Sequence, residues 1–313
     1  MTEGKFCSVF ATRKIRFTLG AVAVAWLAGC SMIPAYERPA APVPESFPGV
    51  GEATASPLVS WREYFPDPSL HDLIEAALNH NRDLRIALAR VDEARALAGI
   101  ARADRLPTVE AQASANRSRT PGDLTGTGQP LVASRYDAGL GVTAFELDFW
   151  GRVAALNEAA RAQYLATDEA AKSFRIGLVS DVANTWFLLT ELAERERLAA
   201  ETLQTREESL ALIRRRREVG LATELDVLAA ESLVESVRIQ WTELKRQRDE
   251  TQNALSLLTG MGAGIPVPTN VAGQPSMAEL APGLPSEVLL RRPDVRAAEQ
   301  RLIAANASVG AAR

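Results

Sequence analysis

The stretch "REVGLATELDV" (217–227) holds a helix stop and a helix start only a few residues apart. Gly220 can take the left-handed closing conformation open to glycine, and Thr223 with Asp226 three residues later has the spacing of a reciprocal N-terminal cap. The segment reads as a tight helical hairpin. On its N-terminal side, Arg152 to Val219 contains no proline and a single glycine, Gly177. Positions 178, 182, 185, 189, 192, 196, 199, 203, 206, 210 and 213 keep a strict four-three spacing, and eight of these eleven are apolar, as in a coiled-coil seam. The return helix, about 223–258, has a seam at 227, 230, 234, 237, 241, 244, 248, 251, 255 and 258, apolar at eight of ten. "LLTGMGAGIPVP" ends it.

Upstream, "DPSLHDLIEAAL" opens with two capping residues, Asp67 and Ser69, around a first-turn Pro68, and so starts a helix. Sliding the sequence along itself by 211 residues matches "DLRIALARVDEARALAGIAR" (83–102) to "DVRAAEQRLIAANASVGAAR" (294–313), with nine of twenty positions identical. The identities include the pairs Asp83/Asp294, Arg85/Arg296, Arg90/Arg301, Gly99/Gly310 and Arg102/Arg313, which indicates an internal duplication. Pro293 falls in the slot of Arg82, so both copies are expected to break and restart there, giving a first-copy helix over about 83–105 that Pro107 closes. A complete second unit would carry the chain to roughly 490 residues, so the sequence is expected to be a fragment truncated within its second repeat.

Between the helices lie two alternating segments. "TVEAQASAN" sets Val109, Ala111, Ala113 and Ala115 against Glu110, Gln112, Ser114 and Asn116; after a loop near 117–134, Tyr136, Ala138, Leu140 and Val142 alternate with Asp137, Gly139, Gly141 and Thr143. These predict a hairpin with one small apolar face and one polar face. Beyond Val142 the apolar phase moves to Phe145, Leu147 and Phe149, which predicts a bulge or bend before a helix begins near Gly151. A two-stranded sheet leaves open edges that hydrocarbon does not tolerate, and even two hairpins per chain fall short of the eight strands of the smallest membrane barrels. Several copies must then share one barrel. The helix lengths, about 100 Å for the long one and about 35 and 54 Å for two short ones, suit a rod that packs beside like neighbours.

The N-terminus is read separately. Phe17 to Ala28 is a mostly apolar run behind Lys5, Arg13, Lys14 and Arg16, which is a secretory signal layout too short to span ~30 Å of hydrocarbon. Leu27-Ala28-Gly29-Cys30 resembles the bacterial lipobox, which makes Cys30 the expected acylated first residue of the mature chain; the alternative is an ordinary small residue in a signal cut slightly later. Ser31 is not the aspartate that retains many lipoproteins at the inner membrane, so the outer membrane is favoured. Pro34, Pro39, Pro42, Pro44, Pro48 and Pro57 give the following stretch the character of an extended tether. Setting aside the first 29 residues moves the formal charge from −4 to −7, which argues against a nucleic-acid partner.

With these features in place, the chain resembles the outer-membrane efflux factors of the TolC superfamily, in particular the NodT-like lipoprotein branch that serves resistance-nodulation-division pumps. The resemblance rests on "LAGCSMIPAYERP", "FELDFWGRV", "VGLATELDVLAAES" and "GLPSEVLLRRPDVRAAEQRLIAANASVGAAR". It implies a mainly α fold with a membrane β-hairpin: long antiparallel helical hairpins form an α-barrel tunnel, and the strands join a shared trimeric transmembrane β-barrel. The implied activity is that of a passive exit duct, not an enzyme and without cofactor, whose partners are two further copies of the chain, a periplasmic membrane-fusion adaptor, an inner-membrane pump and outer-membrane lipid. In this frame the chain divides into a signal peptide (1–29), a lipid-anchored tether (30–66), first-repeat helices (67–106), a barrel hairpin (107–150), a tunnel hairpin (151–260), a linker (261–285) and the start of a second repeat (286–313). It lacks the second hairpin and second long helix of the family pattern.

By position, Val219, Gly220 and Leu221 look like the tip that meets the adaptor, although Gly220 also satisfies the turn by itself. Asp226 resembles a gating acid of the tunnel mouth, or is simply a capping acid. Arg214 to Arg217 point all around a helix and are expected to be solvated or ion-paired. His71 and His80 stand apart from any acid or cysteine cluster and give neither a metal site nor a catalytic base; both are expected at the surface. Trp150, with Phe145, Phe149 and Tyr136, could form an interfacial girdle, but packing into the strand–helix corner is favoured. A periplasmic coiled-coil lipoprotein acting as scaffold or adaptor, without a barrel or channel activity, is the rival reading, and it needs no amphipathic hairpin. A lipid-anchored hydrolase ranks last for want of a nucleophile and base.

Overall fold

The computed structural model describes residues 32–40, 59–142, 145–262, 265, 267, 277 and 287–313. The signal segment, Cys30 and nearly all of the linker 261–285 lie outside the described residues, as do 41–58 of the tether. The chain divides into two compact units, one of Met1–Ala40, Asp92–Thr167 and Ala297–Arg313, the other of Ala41–Val91 and Asp168–Arg296.

In the second unit, Ser60 caps the short α1 (Trp61–Tyr64) and Asp67 caps α2 (Pro68–His80), where Oδ1 accepts the Ser69 amide at 2.9 Å and Pro68 occupies the first turn. Asn81 then breaks the helix in the slot next to the expected restart, and α3 runs Arg82–Ala103. Its buried amide group does two things: Oδ1 accepts the Leu84 amide at 2.8 Å, and Nδ2 donates to the Leu258 carbonyl at 2.9 Å. The long helix α4 spans Arg152–Glu218 and contributes its residues from Asp168 onward to this unit; α5 spans Glu224–Thr259. Both lie within a residue or so of the heptad reading.

The core of this unit joins three helices. Leu70 and Ile74 of α2, Val182 and Leu189 of α4 and Leu255 of α5 are fully buried together, each worth about 1.5–3 kcal/mol relative to exposure. Here α4 also buries Ala183 and Trp186, outside its heptad seam, because α2 covers a second face. Trp186 donates its indole N–H to Asp67 Oδ2 at 2.9 Å, which ties the α2 cap to α4. Farther along, α4 and α5 meet alone through Leu192, Ala199, Leu244 and Trp241, then through Leu203, Leu210, Ile213, Val227, Ala230 and Val234. Of the twenty-one seam positions only Arg206 is exposed. Gly260 ends α5 at φ 65°, and a Cβ there would lie 2.7 Å from the His80 carbonyl oxygen, so both backbone and space demand glycine.

In the first unit, β1 (Val109–Thr120) and β2 (Leu131–Val142) pair antiparallel from Val109 opposite Val142 to Thr120 opposite Leu131. Each strand runs several residues farther than its apolar alternation. From Phe145 to Gly151 the chain is irregular, Gly151 adopts φ 77°, and α4 starts at Arg152; the change of phase itself falls at 143–144, outside the described residues. Asp148 accepts the Ala154 amide at 2.8 Å, an anion at the positive end of the helix. Along the first turns of α4, Ala155, Ala162 and Ala166 are buried, as suits close helix packing.

The duplicated helix α7 (Pro293–Ala312) follows a short α6 (Glu287–Arg291), and its start at Pro293 is the duplication equivalent of the α3 start at Arg82. Part of the stretch read as a tether is held against α7. Arg38 forms a fork with Glu299 at 2.6 and 2.5 Å, the Tyr36 hydroxyl donates to the same carboxylate at 3.2 Å, and Asn306 Nδ2 donates to the Pro34 carbonyl at 2.7 Å. Proline composition alone hides such docking, since an extended chain with satisfied contacts and a free tether share it.

Candidate functional site

The pairing register determines what each face of the hairpin carries. Opposite partners in an antiparallel pair project to the same side. One face therefore holds Val109, Ala111, Ala113 and Ala115 with Val142, Leu140, Ala138 and Tyr136, and the other holds Glu110, Gln112, Ser114 and Asn116 with Gly141, Gly139, Asp137 and Arg135. The apolar side chains find no core: Leu140 and Tyr136 are 80% and 79% exposed. A surface of this kind, apolar on one side, polar on the other and unpaired at both edges, is stable in lipid only as part of a closed barrel. Among the described residues no helix is long and apolar enough to cross a membrane.

The second feature is the turn joining α4 to α5. Gly220 sits at φ 76°, its amide donates to the Arg217 carbonyl at 2.9 Å, and the Leu221 amide reaches back to the Arg216 carbonyl at 2.8 Å. This is the paired 5→2 and 6→1 closure of a helix end. The closure usually adds an apolar contact, but its slot holds Arg216 here, so Val219 and Leu221 remain about 70% exposed, with Leu225 beside them. Nothing lies within 4 Å of a Cβ built on Gly220, so another backbone can approach it closely.

Asp226 sits just inside the return helix. Its Oδ2 accepts both the amide and the hydroxyl of Thr223 at 2.7 Å, and its own amide donates to the Thr223 hydroxyl oxygen at 3.2 Å. These bonds, the hydroxyl's first and the amide's second, hold its carboxyl below the usual carboxylate range. The capping role is thus realised, and Asp226 is also among the residues that line a groove with Arg206, Ser209, Ile213 and Leu233.

Ion pairs bridge the same hairpin. Arg217 meets Glu224 at 2.6 Å, Arg214 meets Glu231 at 2.7 Å, Arg238 meets Glu207 at 2.8 Å and Arg248 meets Glu196 at 3.2 Å. Two members of the basic run are therefore paired across the helices, as expected of that end. The first three pairs are exposed and contribute no more than about 1 kcal/mol each, so the apolar seam holds the hairpin.

Two surface readings need correction. Only His80 is exposed; the His71 ring is half-buried, bonds the Phe65 carbonyl and packs edge-on against Trp61 at 5.4 Å. Nor does Trp150 fill a corner: it is 67% exposed and touches Phe149 edge-on at 6.1 Å. Cys30 lies outside the described residues. Sequence reading missed Asn81 and the contacts of Tyr36 and Arg38; for the latter the only signal was polar residues inside a proline-rich run.

A family model described as "Outer membrane efflux protein" matches residues 73–261, which contain both the amphipathic hairpin and the helical turn. The chain belongs to that family. Among its relatives, the solvent efflux pump outer membrane protein SrpC of Pseudomonas putida is 43% identical over 300 residues, covering 93% of this chain and 64% of the relative. Outer membrane protein OprJ of Pseudomonas aeruginosa is 43% identical over 307 residues, covering 96% and 64%. A crystal structure of a membrane protein from Pseudomonas aeruginosa superposes with a TM-score of 0.77 at 43% identity, over 91% of this chain and 65% of that one. The chain thus spans a little under two thirds of the length of the relatives it matches. Like other outer membrane efflux proteins it is an outer-membrane protein, and its fold is that of the TolC-like helical-barrel channels.

Proposed function

We propose that this chain supplies one subunit of the outer-membrane exit duct of a tripartite efflux pump. Three copies, each with the second hairpin that a complete duplicate repeat would add to the one in this chain, complete a β-barrel in the outer membrane and an α-helical tunnel in the periplasm, and small molecules pass through water from periplasm to exterior. An inner-membrane pump provides the energy and the choice of substrate. No bond is made or broken, so the protein acts without enzyme chemistry or cofactor.

One observation carries the reading: over 109–116 and 135–142 the strand register gathers the apolar residues of both strands on one face and the polar residues on the other. A periplasmic scaffold has no use for such a hairpin. Within the duct, residues 107–150 belong to the barrel and 151–260 to the tunnel. Val219, Gly220 and Leu221 form the tip that meets the helical hairpin of a periplasmic membrane-fusion adaptor, an assignment supported by their exposure and by the open space over Gly220. Asp226, near the tip and lining a groove, is the candidate gate residue. Residues 1–29 act as signal peptide and Cys30 carries the lipid.

Deleting the gene in a strain without a substitute duct should raise intracellular accumulation of a pump substrate, and expression of the wild-type gene should reverse it. Unchanged accumulation for every compound tested would reject the duct reading.

A further inference from the structure

Helices α3 and α7 are copies of one another, and the N-terminal segment is clasped to α7. The seat of the clasp is common to both copies. Gly310 lies so close to Ile33 that a Cβ there would stand 2.7 Å from Ile33 Cγ1 and 2.8 Å from its Cα. Its duplicate, Gly99, has nothing within 4 Å of the same position and opens onto a groove lined by Arg102, Ala103, Arg105 and Leu106. Glycine therefore creates room on both helices, and room alone does not explain the choice.

The flanking residues differ. At the offset of 211, Glu299 corresponds to Leu88 and Asn306 to Arg95. Glu299 receives the Arg38 fork and the Tyr36 hydroxyl, and Asn306 holds the Pro34 carbonyl. On α3, Leu88 offers no acceptor, and Arg95 is turned to Tyr164 and Asp92. A guanidinium pairs bidentately with a planar carboxylate and finds no acceptor on an isobutyl group. We propose that Glu299 and Asn306 are the positioning residues that direct the N-terminal segment to α7 rather than to its duplicate α3.

The contacts at 299, 306 and 310 are met by residues 38, 34 and 33 in that order, so the segment runs antiparallel to α7 and leaves at its C-terminal end. Cys30 stands three positions before Ile33, at most about 10 Å of extended chain. If Cys30 is acylated, as the duct reading holds, the clasp sets the lipid at one of two duplicated helix ends and leaves the other free. The address itself does not depend on acylation.

A nitroxide on Ala35→Cys in the full chain tests it by electron paramagnetic resonance, with the chain lacking that cysteine as background. The label should show the broad lines of restricted motion. Glu299→Leu with Asn306→Arg, which writes the α3 residues into α7, should convert them to narrow, mobile lines, whereas Leu88→Glu with Arg95→Asn should change nothing. Arg38→Glu should also free the label, and adding Glu299→Arg should restore the broad lines. A label that stays restricted without Glu299 and Asn306, or a charge exchange that restores nothing, overturns the proposal. Mass analysis of the N-terminal peptide reads acylation separately, so failure of that reading is distinguished from failure of the clasp.

Discussion

Thr223 and Asp226 cap α5 reciprocally, each bonding the other's backbone amide. Removing the hydroxyl with Thr223→Ala should cost about 1 kcal/mol, read by thermal or denaturant unfolding. The Asp226 contribution depends on pH in a definite direction. Its carboxyl is held below the ordinary value by Thr223, so the stabilisation is complete above the unfolded value of about 3.9 and is lost as pH falls through the lower folded value. The stability difference between wild type and Asp226→Asn should therefore be constant near pH 6 and shrink below about pH 4.

The same pair separates capping from gating. Thr223→Ala weakens the cap and keeps the charge; Asp226→Asn removes the charge and keeps an acceptor. Single-channel conductance that responds to Asp226→Asn but not to Thr223→Ala would assign Asp226 to the gate. Equal response to both would leave it a capping acid.

Gly220 and Gly260 share a left-handed backbone but differ in surroundings. Gly220→Ala meets open space, so its cost is confined to the backbone, roughly 1–2 kcal/mol. Gly260→Ala adds a contact of 2.7 Å with the His80 carbonyl and should cost at least about 1 kcal/mol more. Chemical denaturation of the two variants checks the order. Gly220→Asn should keep the turn; lost export with unchanged stability would then mark close approach of the adaptor.

Most of the helical architecture was legible because single features imposed it. The four-three seam, the Thr223–Asp226 spacing and Gly220 placed α4 and α5 within a residue or so of their observed ends. What escaped were places with two partners or none. Ala183 and Trp186 are buried because α2 lies against a second side of α4, and a seam read on one helix cannot show which other helix arrives. The apolar alternation stops at Asn116 and starts again at Tyr136, yet the ladder continues through Arg117 opposite Ser134 and Arg119 opposite Val132. Backbone pairing does not need the apolar alternation that made the strands visible. Of the candidate site, the turn and the cap were legible, while the clasp of Tyr36 and Arg38 on Glu299 joins residues more than 250 positions apart and left no periodic trace.

The hairpin faces make a paired prediction. Ala113→Lys places an ammonium on the apolar face and should disfavour membrane insertion by about 2–4 kcal/mol if the site lies near the bilayer midplane. Ser114→Lys, one residue on and facing the other side, should insert normally. Quantifying each variant in purified outer membranes checks the contrast, and equal amounts of both would mean that the apolar face does not meet lipid.

The most direct test of the central claim is the native mass of the protein extracted from the outer membrane in mild detergent. Two strands per hairpin cannot close a sheet in lipid alone, so the account predicts a complex of three copies that resists extraction with carbonate. A single copy, released into water by that wash, would contradict it.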